Sequence, residues 1–201
     1  MGFGQAVSHL RNVSLAEVRM DLLNFTDEQF RRIFGHHKNL IATFRSDVEP
    51  VKLIDRYGLA LDSGCTFVDV DASIPEVHRN TVKAMAHGKG CKVILSYHNF
   101  NETPEIGRLQ EIADALFRSG ADVAKLACKA NTAVDCSRVL GLYARYSSIV
   151  AFCMGNLGKV TRLAAPILGA PFTYASADGC GTAPGQIDYG EVENFLNRYK
   201  D

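Results

Sequence analysis

The stretch PEVHRNTVKAMAHGKGCKVILSYHNFNETPEIGRLQEIADALFRSGADVAKLAC (75–128) decides the fold. It contains two apolar segments rich in β-branched residues, KVILSYH (92–98) and DVAKLAC (122–128), which are too short for buried helices and are predicted as strands. Each follows a segment that opens with Pro-Glu and closes on Gly, at 75–90 and 104–120, as helices do. The stretch therefore predicts two helix–strand units in succession.

Similar apolar segments lie on both sides of this stretch and are predicted as strands too, at 15–21, 39–45, 66–71, 148–155 and 171–176. Polar residues at the ends of successive segments are 26, 26, 27 and 27 positions apart; they are Arg19, Arg45, Asp71, His98 and Lys125. A strand–helix unit repeated at this interval predicts a parallel sheet with right-handed crossovers.

This layout predicts an α/β fold, a (β/α)8 TIM-type barrel formed as a single domain over residues 1–201. In such a barrel the polar residues at the strand ends meet at the C-terminal rim, where active sites lie. A doubly wound open sheet is the alternative. It would bind ligands at one switch point, but the usual Gly-rich phosphate turn is missing after the early strands.

The N-terminus departs from the repeat. One more interval counted back from Arg19 falls before residue 1, and MGFGQAVSHLRNVS (1–14) is typical of the tail of a first helix. We therefore predict that the first β-strand is missing, which leaves the barrel open between the strands at 15–21 and 171–176. Unpaired strand edges at such a gap favour pairing with another chain. The alternative is that residues 1–8 lie between those strands.

Composition argues against several classes of protein. Lys and Arg together number 22, as do Asp and Glu, so the formal net charge of zero indicates no nucleic-acid or membrane surface. No apolar run is long enough for a spanning helix and no secretory leader is present, so we predict a cytoplasmic protein. The six cysteines and the His36–His37 pair lack metal-site spacing, which predicts reduced thiols and no metal.

Lys125 is a candidate nucleophile because it lies inside an apolar strand. Lysine is rarely buried without a partner, so the residue is either an amine activated by desolvation or a side chain that extends to an exposed edge. Lys129, four residues on, is the weaker candidate. His98 ends the preceding strand, and neighbouring strands lie about 5 Å apart. The histidine is therefore a candidate proton shuttle beside Lys125, with a capping or core histidine as the alternative.

Charged residues on other segments complete the candidate site. Arg45 could bring a cation to the substrate and Glu49 a carboxylate that orients His98. Glu17 and Arg19 alternate with apolar residues along their strand, and buried ion pairs are the alternative for all four. Arg162 is either a solvated helix residue or a carboxylate-binding group. The lid segment, ADGCGTAPGQI (177–187), is Gly/Pro-rich and could close over a site or be an ordinary loop.

Six pieces of sequence, in order, resemble the type I 3-dehydroquinate dehydratase family. They are E-V-R-M-D, T-F-R-S-D-V-E, S-Y-H-N-F, the lysine of A-D-V-A-K-L-A, M-G-N-L-G-K-V-T-R and T-A-P-G-Q. The resemblance runs from about Glu17 to Ile187. It implies dehydration of 3-dehydroquinate in the shikimate pathway without a metal or organic cofactor, by a homodimer.

The resemblance also implies a role for each matching residue. Lys125 would form an imine with the C3 ketone, His98 would move the proton in a syn elimination, and Glu49 would orient His98. Substrate contacts would come from both ends of the chain: Glu17, Arg19, Arg45, Arg162, Thr182 and Gln186. Thr182 stands where the family carries a serine, and Asp71 where it often carries a longer acid.

Two other functions stay open. A class I aldolase-like Schiff-base lyase on a barrel would share the lysine but would not need the T-A-P-G-Q motif or this set of arginines. A truncated homologue that only binds ligand would keep the site residues, and the missing first strand is the observation in its favour.

Overall fold

The computed structural model describes residues 1–45, 49–177 and 185–199, in which strands and helices alternate. The strands are β1 Ala16–Arg19, β2 Leu40–Thr43, β3 Phe67–Asp71, β4 Lys92–Asn99, β5 Val123–Lys129 and β6 Ile149–Met154. The helices are α1 Phe3–Leu10, α2 Asp27–His36, α3 Pro50–Asp62, α4 Glu76–Gly88, α5 Ile106–Arg118, α6 Ala133–Leu140, α7 Lys159–Ile167 and α8 Tyr189–Leu196, with 3-10 turns at Gly141–Ala144 and Asn197–Tyr199.

The six strands are hydrogen-bonded in chain order, from β1 to β6. β1 pairs with β2 and β2 pairs with β3, both in parallel. β5 also pairs in parallel with β6, with Lys125 opposite Val150. The predicted α/β class and the predicted parallel sheet are therefore confirmed.

The chain divides into two compact units, Met1–Leu95 and Ser96–Asp201. The first contains β1 to β3 with α1 to α4, and the second contains β5 and β6 with α5 to α8. Every residue of β2 and of β6 is buried. Parallel strands are usually covered on both faces, which is why these segments are apolar without alternation.

Helix ends follow the signals in the sequence. α4 begins directly after Pro75, and α5 is followed by Gly120, whose φ of 87° lies in the left-handed region that glycine favours. Residues 3–10 form α1, which confirms the predicted N-terminal helix. Within residues 1–45, 49–177 and 185–199, no helix has both the length and the apolar character needed to cross a bilayer.

The segment PFTYAS (171–176) is not a strand, so that prediction was wrong. Within it only Ser176 forms a bridge, an isolated one to Asp188. The backbone N–H of Ser176 donates to the carbonyl of Ile187 at 2.8 Å, and the carbonyl of Ser176 accepts from the N–H of Tyr189 at 2.8 Å. The segment therefore pairs with the residues that precede α8.

The outer edge of β6 explains why this segment adds no strand there. The hydroxyl of Tyr143 accepts from the N–H of Ala151 and donates to its carbonyl, both at 2.8 Å. The N–H of Cys153, on the same edge, donates to Thr161 Oγ1 at 2.8 Å. The carbonyl of Met154 faces the other way and accepts from the residue after β5. Because side chains already bind this edge, a further strand has no free backbone groups at Ala151.

Candidate active site

Lys125 is buried in the middle of β5, with 3% of its surface exposed. Its Nζ lies 3.9 Å from the centre of the Tyr174 ring, a cation–π distance. Lys129 ends the same strand with an exposed side chain. The prediction that Lys125 is the buried amine is therefore consistent with its position, and the alternative of an exposed edge lysine describes Lys129.

Two aromatic rings, Phe152 and Tyr174, form a contact that we call the aromatic pair. Their ring centres are 5.7 Å apart with an interplanar angle of 49°. Phe152 lies on β6, where the register pairs it with Ala127, two residues after Lys125. Side chains two apart on a strand share a face, so Lys125 and Phe152 lie on the same face of the sheet.

Arg162 lies over the other ring of the pair. Its guanidinium carbon is 4.1 Å from the centre of the Phe152 ring, and the residue is 1% exposed. Nη1 donates to the carbonyl of Tyr174 at 3.3 Å. Of the two sequence alternatives for Arg162, a solvated helix residue is therefore wrong.

The guanidinium of Arg162 has two N–H donor atoms that form no hydrogen bond within the described residues. Within the described residues, Nε and Nη2 are buried and have no hydrogen-bond partner. Desolvation by burial lowers the pKa of Arg162 to about 10, so the side chain remains cationic at neutral pH. Buried donors without partners are rare and costly, and a carboxylate is the natural acceptor for two adjacent guanidinium N–H groups.

A glycine places Arg162 there. Gly158 caps the start of α7, and a β-carbon on it would lie 2.4 Å from the carbonyl oxygen of Cys153. Only glycine allows the helix to begin so close to β6. Arg162, four residues on, consequently lies against the strand that carries Phe152.

His98 lies near the end of β4, the strand next to β5. Its imidazole is partly buried and stacks on the ring of Phe100, with centres 6.0 Å apart and planes 16° apart. Phe100 is 64% exposed, so this end of the strand is close to solvent. A partly exposed histidine can exchange protons with water, as a proton shuttle must.

The lid segment and the M-G-N-L-G motif meet at two glycines. A β-carbon on Gly185 would lie 2.3 Å from the carbonyl oxygen of Gly155. Both residues have positive φ, 76° for Gly185 and 85° for Gly155. Gln186 follows directly and is partly buried. Thr182 lies outside the described residues.

The candidate residues of β1 contact polar neighbours within the first unit. Glu17 accepts a hydrogen bond from Thr43 Oγ1 at 2.8 Å. Arg19 donates to both carboxylate oxygens of Asp21, Nε at 3.0 Å and Nη2 at 2.6 Å. This fork-to-fork pair holds the guanidinium in one orientation, as the ion-pair alternative for Arg19 predicts.

Arg45 is also paired within the first unit. Its Nη2 donates to Asp69 at 2.9 Å, and the Asp69 side chain is fully buried. The hydroxyl of Tyr57 donates to the backbone carbonyl of Asp69 at 2.6 Å. Burial, with the Asp69 charge adding to it, raises the pKa of Tyr57, so its hydroxyl stays protonated and acts as a donor. These contacts fix where β2 and β3 end.

Two acidic candidates lie at the ends of elements. Glu49 is exposed and precedes Pro50 at the start of α3, and its role in orienting His98 stays a prediction. Asp71 ends β3 and accepts from the N–H and the hydroxyl of Ser73, at 2.9 and 2.7 Å. Asp71 therefore closes a turn, which is a structural role.

The cysteines of the described residues are buried and unbridged; they are Cys65, Cys91, Cys128, Cys136 and Cys153. Desolvation by burial raises the pKa of Cys128 and of Cys153 to about 12, so both remain thiols. These five are unbridged in the structure, and their reduced state in solution stays a prediction.

Sequence reasoning missed the aromatic pair. Phe152 stood in a segment interpreted as a buried strand, and Tyr174 in a segment interpreted as another strand. The available signal was an aromatic residue on the strand next to the buried lysine, which alone does not distinguish a site wall from ordinary core.

A model of the type I 3-dehydroquinase family matches residues 5–201. The chain belongs to this family. Among curated relatives, the 3-dehydroquinate dehydratase of Thermococcus gammatolerans is 34% identical over 201 residues, covering 96% of this chain and 92% of the relative. The 3-dehydroquinate dehydratase of Methanococcus maripaludis is 32% identical over 200 residues, covering 93% of this chain and 88% of the relative.

Solved structures of the family have the same fold. The 3-dehydroquinate dehydratase of Geobacillus kaustophilus aligns with a TM-score of 0.86 at 23% identity, covering 98% of this chain and 84% of that one. The enzyme of Aquifex aeolicus aligns with a TM-score of 0.85 at 24% identity, covering 98% and 94%. Identities this low show a shared fold, and the family assignment comes from the sequence match.

Proposed function

We propose that the chain is a 3-dehydroquinate dehydratase that works through an imine on Lys125, a carbon–oxygen lyase of aromatic amino acid biosynthesis. The observation that best supports this function is that a buried amine, Lys125, and a buried guanidinium, Arg162, both contact the aromatic pair. Lys125 could bind a ketone covalently, while the two unused donors of Arg162 could bind a carboxylate. The substrate 3-dehydroquinate has both groups.

The reaction begins when the neutral amine of Lys125 attacks the C3 ketone and water leaves, which gives an iminium. The iminium acidifies the neighbouring C2–H bond because its nitrogen accepts the electron pair. His98 takes the C2 proton and gives it to the departing C1 hydroxyl, so that water is lost by syn elimination. Hydrolysis of the product imine then releases 3-dehydroshikimate and the free lysine.

The other family positions complete the proposed site. Arg162 and Gln186 would contact the carboxylate side of the substrate, and Thr182 would contribute its hydroxyl to substrate binding. Glu17, Arg19 and Arg45 would bind the ring hydroxyls, as the family resemblance implies. Glu49 orients His98. The carboxylates that pair with Arg19 and Arg45 would keep both guanidinium groups preorganised, which lowers the cost of binding the substrate.

The remaining proposals concern the whole molecule. The chain would have a (β/α)8-type fold, act in the cytoplasm and assemble as a homodimer. Light scattering of the purified protein tests the dimer, since a monomeric mass at micromolar concentration would contradict it.

Borohydride trapping tests the chemistry. Reduction during turnover of 3-dehydroquinate should add the mass of the reduced ligand to the peptide that contains Lys125. Lys125→Ala should lose the adduct and the activity, whereas Lys129→Ala, the matched control four residues away, should keep both. Labelling of folded Lys125→Ala would move the nucleophile elsewhere.

The same experiment separates the alternatives. A class I aldolase-like lyase would be trapped by other ketones and not by 3-dehydroquinate. A homologue that only binds ligand would give no adduct with any ketone, although thermal shift would still detect binding.

A further inference from the structure

The contacts of Arg162 divide into those that use its N–H groups and those that do not. The contact with Phe152 places the guanidinium carbon over the ring at 4.1 Å from its centre, a distance typical of a guanidinium stacked on an aromatic face, and stacking uses none of the N–H groups. Within the described residues the guanidinium donates one hydrogen bond, from Nη1 to the carbonyl of Tyr174, at 3.3 Å. The guanidinium is therefore held largely through its face, and its edge is left for a ligand.

The part of the guanidinium that remains available to a ligand is the edge formed by Nε and Nη2. Nε and Nη2 lie side by side in the guanidinium plane, and neither has a partner within the described residues. Two parallel N–H groups at this spacing match the two oxygens of one carboxylate. The Nε–Nη2 edge can therefore bind a carboxylate in a bidentate manner once the plane is fixed.

We propose that Phe152 is a positioning residue, whose ring holds the guanidinium plane of Arg162 so that the Nε–Nη2 edge meets the substrate carboxylate. This inference rests on the proposed function. It assigns Phe152 a role in carboxylate binding through its contact with Arg162. Phe152 itself performs no proton transfer.

The aromatic pair extends this positioning to Lys125. The ring of Tyr174 contacts Phe152 on one side and lies under Lys125 Nζ on the other. Phe172 packs against Tyr174 as well, with ring centres 5.8 Å apart and planes at 66°. Because Phe152 and Tyr174 are buried and packed against each other, the carboxylate-binding edge and the imine-forming nitrogen keep a fixed spacing. That spacing favours oxo acids in which the ketone and the carboxylate are correspondingly far apart.

The test compares KM with kcat in Phe152→Leu. Loss of the ring lets the guanidinium plane rotate, so KM for 3-dehydroquinate should rise about tenfold, within the range of cation–π contributions at desolvated sites. The kcat should change less than about threefold, because the lysine chemistry is not touched. Phe152→Tyr keeps the ring face and should restore the KM. Phe172→Leu, the matched control, removes a neighbouring ring of the same size and should raise KM less than threefold.

A ligand without a ketone isolates the carboxylate. Quinate cannot form an imine, and its inhibition constant should rise about tenfold in Phe152→Leu. The primary amide of quinate should bind both proteins alike. In an Arg162→Lys background the Phe152→Leu effect on KM should disappear, because both changes act on one group.

Two results would overturn the positioning role while the proposed function stands. One is an unchanged KM in a folded, active Phe152→Leu protein, with folding checked by its melting temperature. The other is an additive effect of Phe152→Leu and Arg162→Lys. If the unmodified protein neither dehydrates nor is trapped by 3-dehydroquinate, the proposed function itself fails, and that result appears before any variant is made.

Discussion

Gly185 and Gly155 approach so closely that a single added methyl group at residue 185 would lie 2.3 Å from the carbonyl oxygen of Gly155. The contact joins two motifs that are 30 positions apart in the sequence. One motif leads into Gln186 and the other into the helix that carries Arg162. The two residues proposed to bind the substrate carboxylate are therefore positioned through one backbone contact.

Gly185→Ala should weaken the enzyme more than it destabilises the fold. The new methyl group must push the two motifs apart, and small displacements at a site cost large factors in rate, so kcat/KM should fall at least about tenfold. Steady-state kinetics and a melting curve measure both effects. Gly169→Ala is the matched control, because Gly169 also has a positive φ, 106°, but among the described residues beyond its chain neighbours no atom lies within 4 Å of the added carbon. Equal losses in the two variants would mean that φ strain alone is responsible.

His98→Ala should stop elimination without preventing imine formation, because the two steps use different groups. The kcat should fall by about 10²–10⁴-fold, the usual contribution of a general acid–base. Intact-mass measurement after borohydride addition should show the substrate adduct accumulating.

The control for His98 is His36→Ala, a change at an exposed histidine at the end of α2 that should leave kcat unchanged. A loss below tenfold in His98→Ala would remove His98 from the role of base.

Asp135 should make the second unit sensitive to acid. Burial by itself would raise the pKa of this carboxyl, but hydrogen bonds from the N–H groups of Thr132 and Asn131, both at 2.8 Å, and the charge of Arg138 together lower it. A carboxyl with a lowered folded pKa stabilises the fold above its unfolded pKa of about 3.9 and loses that contribution as the pH falls through the folded value. Asp135→Asn should therefore melt at a lower temperature at pH 7, with the difference shrinking towards pH 3.

Differential scanning calorimetry across this pH range measures the effect. Glu111→Gln is the matched control, since Glu111 forms an exposed ion pair with Arg108 and should change the melting temperature little at any pH. A difference that persists undiminished at pH 3 would show that Asp135 acts by packing and not by charge.

Tyr143→Phe should destabilise β6 by removing both hydrogen bonds to Ala151. The N–H and carbonyl of this fully buried residue would then lack partners, so the free energy of unfolding should fall by about 1–3 kcal/mol. Urea denaturation measures it. Tyr146→Phe, whose hydroxyl bonds to Asp114 and Gln110 nearer the surface, should cost less. Equal costs would mean that the β6 edge has no special need of Tyr143.

The strands that the sequence predicted correctly share one property, a run of apolar residues that a covered parallel sheet requires. The bounds of β4 and β5 were predicted to within one residue at each end, because the apolar composition that marks these strands lies within the strands themselves. PFTYAS has a similar composition, yet it forms no strand, because Tyr143 and Thr161 already bind the neighbouring edge. This competition depends on Tyr143 and Thr161, which lie outside residues 171–176. No local pattern in that segment therefore indicates it.

The residues of the candidate site also fall into two groups, those whose position the local sequence indicates and those whose position depends on packing. The apolar neighbours of Lys125 left two alternatives open, a buried amine and a side chain at an exposed edge, and the structure shows that the residue is buried. The placement of Arg162 on Phe152 depends on how close α7 approaches β6, which Gly158 permits. The pairing of Arg19 with Asp21 follows from a turn at the end of β1, where two residues separated by one position meet. Side-chain partners of this kind depend on three-dimensional packing that periodicity does not encode.

The Nε and Nη2 donors of Arg162 also affect stability and ligand binding in opposite directions. A buried guanidinium with two N–H groups that lack partners within the described residues destabilises the ligand-free protein, and an apolar residue of similar length would fill the same space without that cost. Arg162→Met should accordingly raise the melting temperature of the empty protein while abolishing its response to ligand. A carboxylate that completes the hydrogen bonds stabilises only the protein that retains the arginine. At this position, therefore, the substitution that would raise stability is also the one that would remove carboxylate binding.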